Sequence, residues 1–146
     1  MKTIMEWEPD LGKTSIDVFE FLDWVIGYLS DLGLVKEPNR LRERLMDREA
    51  AGSTLVGVNL ANPHAQLSEV SECLIFYIKL CDPILNWDGR HDVDRILVTL
   101  LPEKPDGRDL VRLRMLYRRM ADEAFMNVLQ SGTDTDVQQI LLTEGK

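Results

Sequence analysis

Leu74-Ile75-Phe76-Tyr77-Ile78 lies within an apolar run at residues 70–80 and decides the fold class. Its apolar residues occupy consecutive positions instead of alternate ones, which is typical of a strand covered on both faces. Val93–Leu101 has the same character and ends at Pro102. Helical patterns precede and follow these strands. Buried strands flanked by helices define α/β proteins. We therefore expect one α/β domain over residues 1–146, with helices on both sides of its sheet.

The remaining elements follow from periodicity and turn residues. Apolar spacings of three and four predict a helix over residues 14–32, capped by Thr14 or Ser15 and ended by Gly33. An early proline indicates a second helix at Pro38–Ala51. Further helices are predicted at 107–120, 122–130 and Asp134–Leu142. Short strands are expected at 3–7 and, from alternating apolar residues, at 55–60. Asp82-Pro83 is expected to break the strand at 70–80.

Composition narrows the function classes. The chain has 146 residues, 29% of them charged, and a formal charge of −8, which argues against a nucleic-acid-binding surface. Its apolar runs fall short of the roughly 20 residues that a membrane helix needs. The N-terminus is acidic, so we expect no signal peptide. Cys73 and Cys81 match no metal or redox spacing and are expected to be reduced core thiols, which suits the cytoplasm.

The chemistry centres on Gly57-Val-Asn-Leu-Ala-Asn-Pro-His64. Pro63 disfavours regular strand pairing, so we expect His64 to emerge at a strand end. Two roles stay open from the residues alone. The ring can simply bond a backbone carbonyl, or it can act as an exposed base, nucleophile or phosphate acceptor. His91, in the polar turn 88–92, is expected to be an exposed structural residue.

A phosphate-accepting histidine needs a neutral ring, with one nitrogen protonated and held by an acceptor while the other points outward. The phosphoryl oxygens then need cationic or backbone donors. Arg48 is one available cation. Arg108, Arg112 and Arg119 share a helical face, which is either a second source of donors or a solvated basic surface. The motifs include none for a metal or an organic cofactor. Four aromatic residues are assigned to the core: Phe19, Phe76, Tyr77 and Tyr117.

At this point the chain resembles the enzyme IIA domains of the fructose and mannitol type (type 2) from the bacterial sugar phosphotransferase system. The resemblance spans roughly residues 3–143. Arg48-Glu49 precedes the motif and Pro83-Ile84 follows the second strand, as in the family layout. The motif residues that match in register are Ser53, Thr54, Gly57, Leu60, Ala61, Pro63 and His64.

This resemblance implies a mixed, mostly parallel sheet flanked by helices. It also implies a phosphotransferase component, without metal or cofactor, in which the phosphocarrier protein HPr phosphorylates His64 and a IIB domain then receives the group. Arg48 matches the position that stabilises the phosphoryl group. Asp109 stands where family members often carry a second histidine. A carboxylate there would repel phosphoryl oxygens unless it points away as a helix cap.

The chain departs from the family pattern at Leu55, Asn59, Asn62 and Ala65, all in or beside the motif. Three alternatives therefore remain. One is a carrier in sugar uptake. The second is a regulatory module, free-standing or part of a transcription regulator, in which phosphorylation of His64 controls binding instead of transport. The third is a degenerate domain that binds but is not phosphorylated.

Overall fold

The computed structural model describes residues 1–142, and helices precede and follow the central strands as the sequence predicts. The strands are β1 (Lys2–Trp7), β2 (Leu60–Ala61), β3 (His64–Gln66), β4 (Leu74–Ile84) and β5 (Val93–Leu101). The helices are α1 (Val18–Asp31), α2 (Pro38–Ala51), α3 (Gly107–Arg119), α4 (Glu123–Ser131) and α5 (Asp134–Leu142). Residues 143–146 of the expected domain lie outside the described part.

The strands form one sheet in the order β1-β4-β5-β2, and β3 also pairs with β5. β4 and β5 are antiparallel, whereas the pairings of β1, β2 and β3 are parallel. The sheet is therefore mixed and mostly parallel, as expected. β2 and β3 both pair with β5. The short segment between them, which contains Pro63, therefore lies at the edge of the sheet opposite β1.

Each face of the sheet has its own hydrophobic core. On one face α1 and α2 pack against alternate residues of the central strands, such as Phe76 and Val98. On the other face α3, α4 and α5 cover the residues between them, such as Tyr77 and Leu97. Consecutive apolar residues in β4 and β5 thus serve two cores, which confirms the prediction of helices on both sides.

The start of the first helix differs from the prediction. α1 begins at Val18, and its N-cap is Asp17 instead of Thr14 or Ser15. The Asp17 side chain accepts from the backbone of Glu20 while the Glu20 side chain accepts from the backbone of Asp17, which forms a capping box. The reciprocal bonds satisfy two backbone donors and so favour this cap. The helix ends near Gly33, whose φ of +73° suits glycine.

The strand expected at residues 55–60 is largely absent. β2 contains only Leu60 and Ala61, and Leu55 contributes an isolated bridge to Ala61. Val56 and Val58 are 43% and 82% exposed, so their side chains do not enter the core. After Pro63 the chain resumes pairing as β3, so His64 lies at the start of a strand instead of beyond the end of one.

Three further expectations are corrected. Asp82-Pro83 does not end β4; the register with β5 shifts between Lys79 and Ile84 and the strand continues. Cys73 and Cys81 are both free, but only Cys73 is buried. Phe19 is 43% exposed and lies outside the core to which it was assigned.

Candidate functional site

His64 is exposed, and one side of its ring is anchored. Its Nδ1 lies 2.9 Å from the backbone carbonyl oxygen of Asn62. A carbonyl only accepts, so Nδ1 carries the proton and donates it. In the neutral ring the lone pair is then on Nε2. Among residues 1–142 Nε2 has no hydrogen-bond partner. The bond to a backbone carbonyl is therefore present, and it leaves Nε2 available, so the two roles left open by the sequence are compatible in one geometry.

A closed set of hydrogen bonds fixes the segment that holds this ring. The Asn62 side-chain amide donates to the carbonyl of Leu97 (2.6 Å) and to Thr99 Oγ1 (3.1 Å). The Tyr117 hydroxyl lies 3.0 Å from Asn62 Oδ1 and 2.9 Å from Thr99 Oγ1. Every group is satisfied when Tyr117 donates to Asn62 and Thr99 donates to Tyr117. Asn62 and Thr99 are 4% and 1% exposed, so this ring of bonds is shielded from water.

The helical pattern assigns Tyr117 to the core, but the residue is 37% exposed, and its hydroxyl reaches inward to Asn62. Burial raises its pKa, which keeps the hydroxyl protonated as a donor. Sequence reasoning noted Asn62 only as a departure from the family and missed Thr99. A buried threonine in an otherwise apolar strand is the one sequence signal that could have found Thr99.

An open cleft of about 400 Å³ lies beside His64. Its walls come from β3, β5, α3 and the segment between β2 and β3, and they combine apolar and polar groups. The lining residues are Asn62, His64, Ala65, Gln66, Leu101, Leu113 and Tyr117. This cleft gives a reacting group access to the imidazole from solvent while the opposite side of the ring stays anchored to the backbone.

The loop before β2 is tied to the end of α4. The side-chain amide of Asn59 donates to Asp94 Oδ1 (2.7 Å) and to the carbonyl of Gln130 (2.9 Å). The side chain of Gln130 in turn accepts from the backbone of Val58 (2.9 Å). Asn59, one of the residues that depart from the family pattern, therefore pins the loop.

Arg48 lies in the last turn of α2, which packs against β3. Its Nη1 donates to the carbonyl of Gly52 (2.9 Å) and so closes the end of the helix. The neighbouring Glu49 accepts from the hydroxyl of Thr54 and from Trp87 Nε1. Burial raises the pKa of Glu49. The helix that carries Arg48 thus contacts β3, but Arg48 is not among the residues lining the cleft.

Asp109 stands where family members often carry a second histidine, but its carboxylate is paired with another group. Its Oδ1 lies 2.6 Å from the amino group of Met1, and its side chain is 15% exposed. The N-cap of α3 is Asp106, so Asp109 is not the helix cap that the sequence left open as an alternative. Asp109 is also absent from the cleft lining. An amino group at this distance offsets the repulsion that a bare carboxylate would exert on phosphoryl oxygens.

The other cations proposed from the sequence lie elsewhere. Arg112 and Arg119 line a separate hollow with Met1 and Phe125, on the flank of α3 that does not contribute to the cleft. His91 is exposed, and its ring contacts the carboxylate of Asp88, as expected for a structural residue. In residues 1–142 no group of three or more histidine, cysteine or acidic side chains could hold a metal ion.

Fold and site together define an α/β protein with an anchored, solvent-facing histidine beside a cleft. Comparison with known families makes the class specific. A sequence model of the family described as "Phosphoenolpyruvate-dependent sugar phosphotransferase system, EIIA 2" matches residues 11–144. The chain belongs to this family.

Two kinds of relative share its sequence. The chain is 30% identical over 112 residues to the 2-O-alpha-mannosyl-D-glycerate-specific EIIABC component of Escherichia coli K12. That match covers 74% of this chain but only 17% of the longer protein. The nitrogen regulatory protein of E. coli K12 is 28% identical over 125 residues, with 83% of this chain and 77% of that protein covered.

Solved structures share the fold. The nitrogen regulatory protein IIA-Ntr of Neisseria meningitidis superposes with a TM-score of 0.69 at 20% identity, covering 94% of this chain and 91% of that one. The mannitol enzyme IIA of E. coli, in its complex with phosphorylated mannitol enzyme IIB, gives a TM-score of 0.62 at 15% identity and covers 94% of this chain and 99% of that chain. Within the described residues, helices long and apolar enough to cross a membrane are absent.

Proposed function

We propose that this chain is a cytoplasmic phosphocarrier that accepts a phosphoryl group from HPr on Nε2 of His64 and passes it to a IIB domain. The observation that carries the proposal is the bond between His64 Nδ1 and the Asn62 carbonyl. It fixes the proton on Nδ1 and leaves the Nε2 lone pair facing solvent. Family membership supplies the reaction class, and the anchored ring supports the acceptor atom.

In the proposed step the Nε2 lone pair attacks the phosphorus of the phosphohistidine on HPr. The new bond between Nε2 and phosphorus forms as the nitrogen–phosphorus bond of the donor breaks, and that electron pair stays on the donor ring. His64 keeps its Nδ1 proton throughout, and the Asn62 carbonyl stabilises the positive charge that the ring gains. Transfer to a IIB domain is the reverse of this displacement with a different acceptor.

We further propose that Arg48 stabilises the phosphoryl oxygens. One of its terminal nitrogens is used by Gly52, and the rest of the guanidinium supplies donors of the right charge. Asp109 takes no direct part in the step, because its carboxylate is paired with the amino group of Met1.

The test is phosphoryl labelling with phosphoenolpyruvate, enzyme I and HPr. We expect one acid-labile, base-stable phosphoryl group on the unaltered chain and none on His64→Ala. His91→Ala is a matched control, because the chain has only two histidines and His91 lies in an exposed turn. Labelling that survives in His64→Ala, or that disappears in His91→Ala, would contradict the assignment.

A regulatory module is the second candidate function. The match to the nitrogen regulatory protein, which extends over 77% of that protein's length, supports it. Both candidates predict labelled His64, so the deciding experiment is the onward step. Transfer to a IIB domain at a rate comparable with phosphorylation by HPr supports the carrier in sugar uptake. A stable phosphohistidine that transfers to no IIB domain supports regulation.

A further inference from the structure

β1 is an edge strand of the sheet. It pairs with β4 on one side, and within residues 1–142 no strand pairs with its other side. The backbone N–H groups of Lys2 and Glu8 donate to carbonyls of β4 and its flank at 2.9 and 2.6 Å, so the even-numbered residues direct their backbone groups towards β4. Thr3, Met5 and Trp7 therefore direct their N–H and C=O groups outward, at the free edge of the sheet.

An open groove of about 520 Å³ lies along this free edge. Five residues of β1 line it, together with Leu32 at the C-cap of α1 and Leu142 at the end of α5. The two leucines are 53% and 40% exposed. Natural sheets usually protect such an edge with a helix, a loop, a proline or a bulge, because its backbone groups can pair with another chain. The groove therefore offers an open surface for strand pairing.

The sequence of β1 is complementary to a second copy of itself. Alternation places Lys2, Ile4 and Glu6 on one face of the sheet. When two copies pair antiparallel with Ile4 opposite Ile4, Lys2 of each copy lies opposite Glu6 of the other. Thr3 then lies opposite Met5, and these are residues whose outward N–H and C=O groups can exchange hydrogen bonds. The arrangement is two-fold symmetric, as most homodimer interfaces are.

Both charged side chains are available for this pairing. Lys2 is exposed, and within residues 1–142 its ammonium group forms no ion pair. Glu6 accepts one hydrogen bond, from the Tyr28 hydroxyl at 2.7 Å, and a carboxylate has acceptor sites for several. Lys2 and Glu6 would form a non-hydrogen-bonded pair, whose Cα atoms are about 4.5 Å apart, the closer of the two antiparallel spacings. Opposite charges at this spacing stabilise the pairing of strands.

Neighbouring registers are less favourable. Centring the pair on Met5 places Glu6 opposite Ile4, so a carboxylate faces an apolar side chain. It also brings Lys2 opposite Glu8, which has a φ of +53° and therefore lies outside the extended strand. Centring the pair on Glu6 places two like charges directly opposite each other, which destabilises a strand pair. The charges therefore select the register centred on Ile4.

We propose that this chain forms a homodimer in which the β1 strands of two copies pair antiparallel, centred on Ile4, and join two five-stranded sheets into one. An extended segment of a different protein would use the same backbone groups, but the reciprocal match of Lys2 and Glu6 is specific to a second copy. The cleft of His64 shares no lining residue with the groove and lies at the other edge of the sheet. The dimer therefore leaves both clefts open, and the inference does not depend on the proposed function.

The test is sedimentation equilibrium of the full chain, without a tag at its N-terminus, over a range of protein concentrations. Lys2→Glu and Glu6→Lys each place like charges opposite each other at both charged pairs. In a mixture of these two variants, a dimer with one copy of each has opposite charges at both pairs. Lys104→Glu is a matched control, because it makes the same charge change at an exposed residue outside the groove. Tyr28→Phe controls for the hydrogen bond that Glu6→Lys removes.

A second pair of variants tests the backbone of the free edge. Thr3→Pro removes an outward N–H group, and proline is compatible with an edge strand at such a position. Thr3→Ala shortens the same side chain but keeps the N–H group. Far-UV circular dichroism verifies that every variant is folded.

We expect the mass of the unaltered chain to approach twice 16.8 kDa as its concentration rises. Each single charge reversal should raise the dissociation constant of the dimer by at least about tenfold, since two attractive pairs become repulsive. Mixing the two reversals in equal amounts should recover dimers. Thr3→Pro should weaken the dimer, whereas Thr3→Ala, Lys104→Glu and Tyr28→Phe should dimerise like the unaltered chain.

An unaltered chain that stays monomeric at every concentration would overturn the proposal, as would single reversals that dimerise as tightly as the unaltered chain. Folded reversals that do not recover dimers when mixed would overturn the register on which it rests. Labelling of His64 by HPr should be equal in the unaltered chain and in the weakened dimers. Failure of the unaltered chain to be labelled would contradict the phosphocarrier function alone, which is a separate outcome.

Discussion

Removing the Tyr117 hydroxyl tests whether the hydrogen bonds behind His64 hold its ring. In Tyr117→Phe, Asn62 Oδ1 loses the donor at 3.0 Å and Thr99 Oγ1 loses its neighbour at 2.9 Å. Both residues are nearly inaccessible to water. Stranding a buried acceptor costs about 1–3 kcal/mol, and since the tyrosine ring is partly exposed we expect a loss of about 1–2 kcal/mol in the free energy of unfolding.

Urea unfolding measures this loss, and the dependence on denaturant should stay unchanged because the variant and the unaltered chain expose a similar amount of surface on unfolding. Thr99→Val completes a double-mutant cycle. Because the two hydroxyls share one set of bonds, we expect a coupling energy of at least about 0.5 kcal/mol. Additive losses would mean that the hydroxyls act independently.

A second measurement shows whether the Tyr117 hydroxyl positions the His64 ring or only stabilises the fold. The Asn62 carbonyl selects the Nδ1-protonated form of His64, so loosening Asn62 should lower the fraction of that tautomer seen in ¹⁵N NMR of the ring. Tyr28→Phe is the matched control, since it removes a hydroxyl that bonds Glu6 at 2.7 Å far along the chain from the site. If Tyr117→Phe leaves both stability and tautomer unchanged, or if Tyr28→Phe shifts the tautomer equally, the reasoning is wrong.

Three other perturbations test separate parts of the account. Burial raises the pKa of Tyr77 from 10.0 to about 12. The stabilising contribution of its hydroxyl is therefore complete below pH 10.0 and is lost as the pH rises towards 12. The free energy of unfolding measured across this range should decline, and Tyr77→Phe should reduce the decline. Burial acts to raise the pKa of Asp88, but hydrogen bonds from the backbone and ring of His91 outweigh it and hold that pKa well below its usual range. Stability should therefore fall as pH drops below 3.8, and less so in Asp88→Asn. Gly132→Ala should destabilise more than Gly57→Ala in urea unfolding, because its Cβ would meet a backbone oxygen at 2.6 Å, whereas the Cβ at Gly57 would meet a flexible side chain.

Each of these has a result that would count against it. A midpoint of alkaline unfolding that does not move in Tyr77→Phe would show that this hydroxyl does not set the decline. An Asp88→Asn variant with the original acid sensitivity would assign that sensitivity to other carboxylates. Equal losses at the two glycines would mean that the chain near Gly132 relaxes as easily as a side chain.

The sequence predicts the bounds of helices and strands where residues at their own ends determine them. The bounds of α2, α5 and β5 match the sequence prediction, since a proline at the helix start or turn residues at the ends mark them. The N-cap of α1 was also within reach, because Asp17 has Glu20 three residues later, the spacing of a capping box. Thr14 and Ser15 were preferred only because they are good caps in isolation.

Distant contacts explain what the sequence pattern missed. Val56 and Val58 alternate as in a strand, but the loop that contains them is held by Gln130, more than 70 residues away, and so stays outside the sheet. The partners of the Tyr117 hydroxyl are 55 and 18 residues distant. The spacing of apolar residues within one helix does not indicate hydrogen-bond partners on other elements. The sequence therefore predicts Tyr117 only as a core residue.

The candidate site was reached by resemblance more than by spacing. The residues alone left His64 either as a bonded structural side chain or as a nucleophile, and the family pattern favoured the second. The geometry adds the physical reason, since one bond to the Asn62 carbonyl supports both descriptions.

The central claim is that Nε2 of His64 receives the phosphoryl group because Nδ1 is held by the Asn62 carbonyl. The most direct measurement is ³¹P and ¹⁵N NMR of the chain after phosphorylation by HPr, with the histidine ring nitrogens labelled. We predict a single phosphohistidine at position 64, with phosphorus coupled to Nε2 and the proton retained on Nδ1. Phosphorus coupled to Nδ1, or attached to any other residue, would contradict the account.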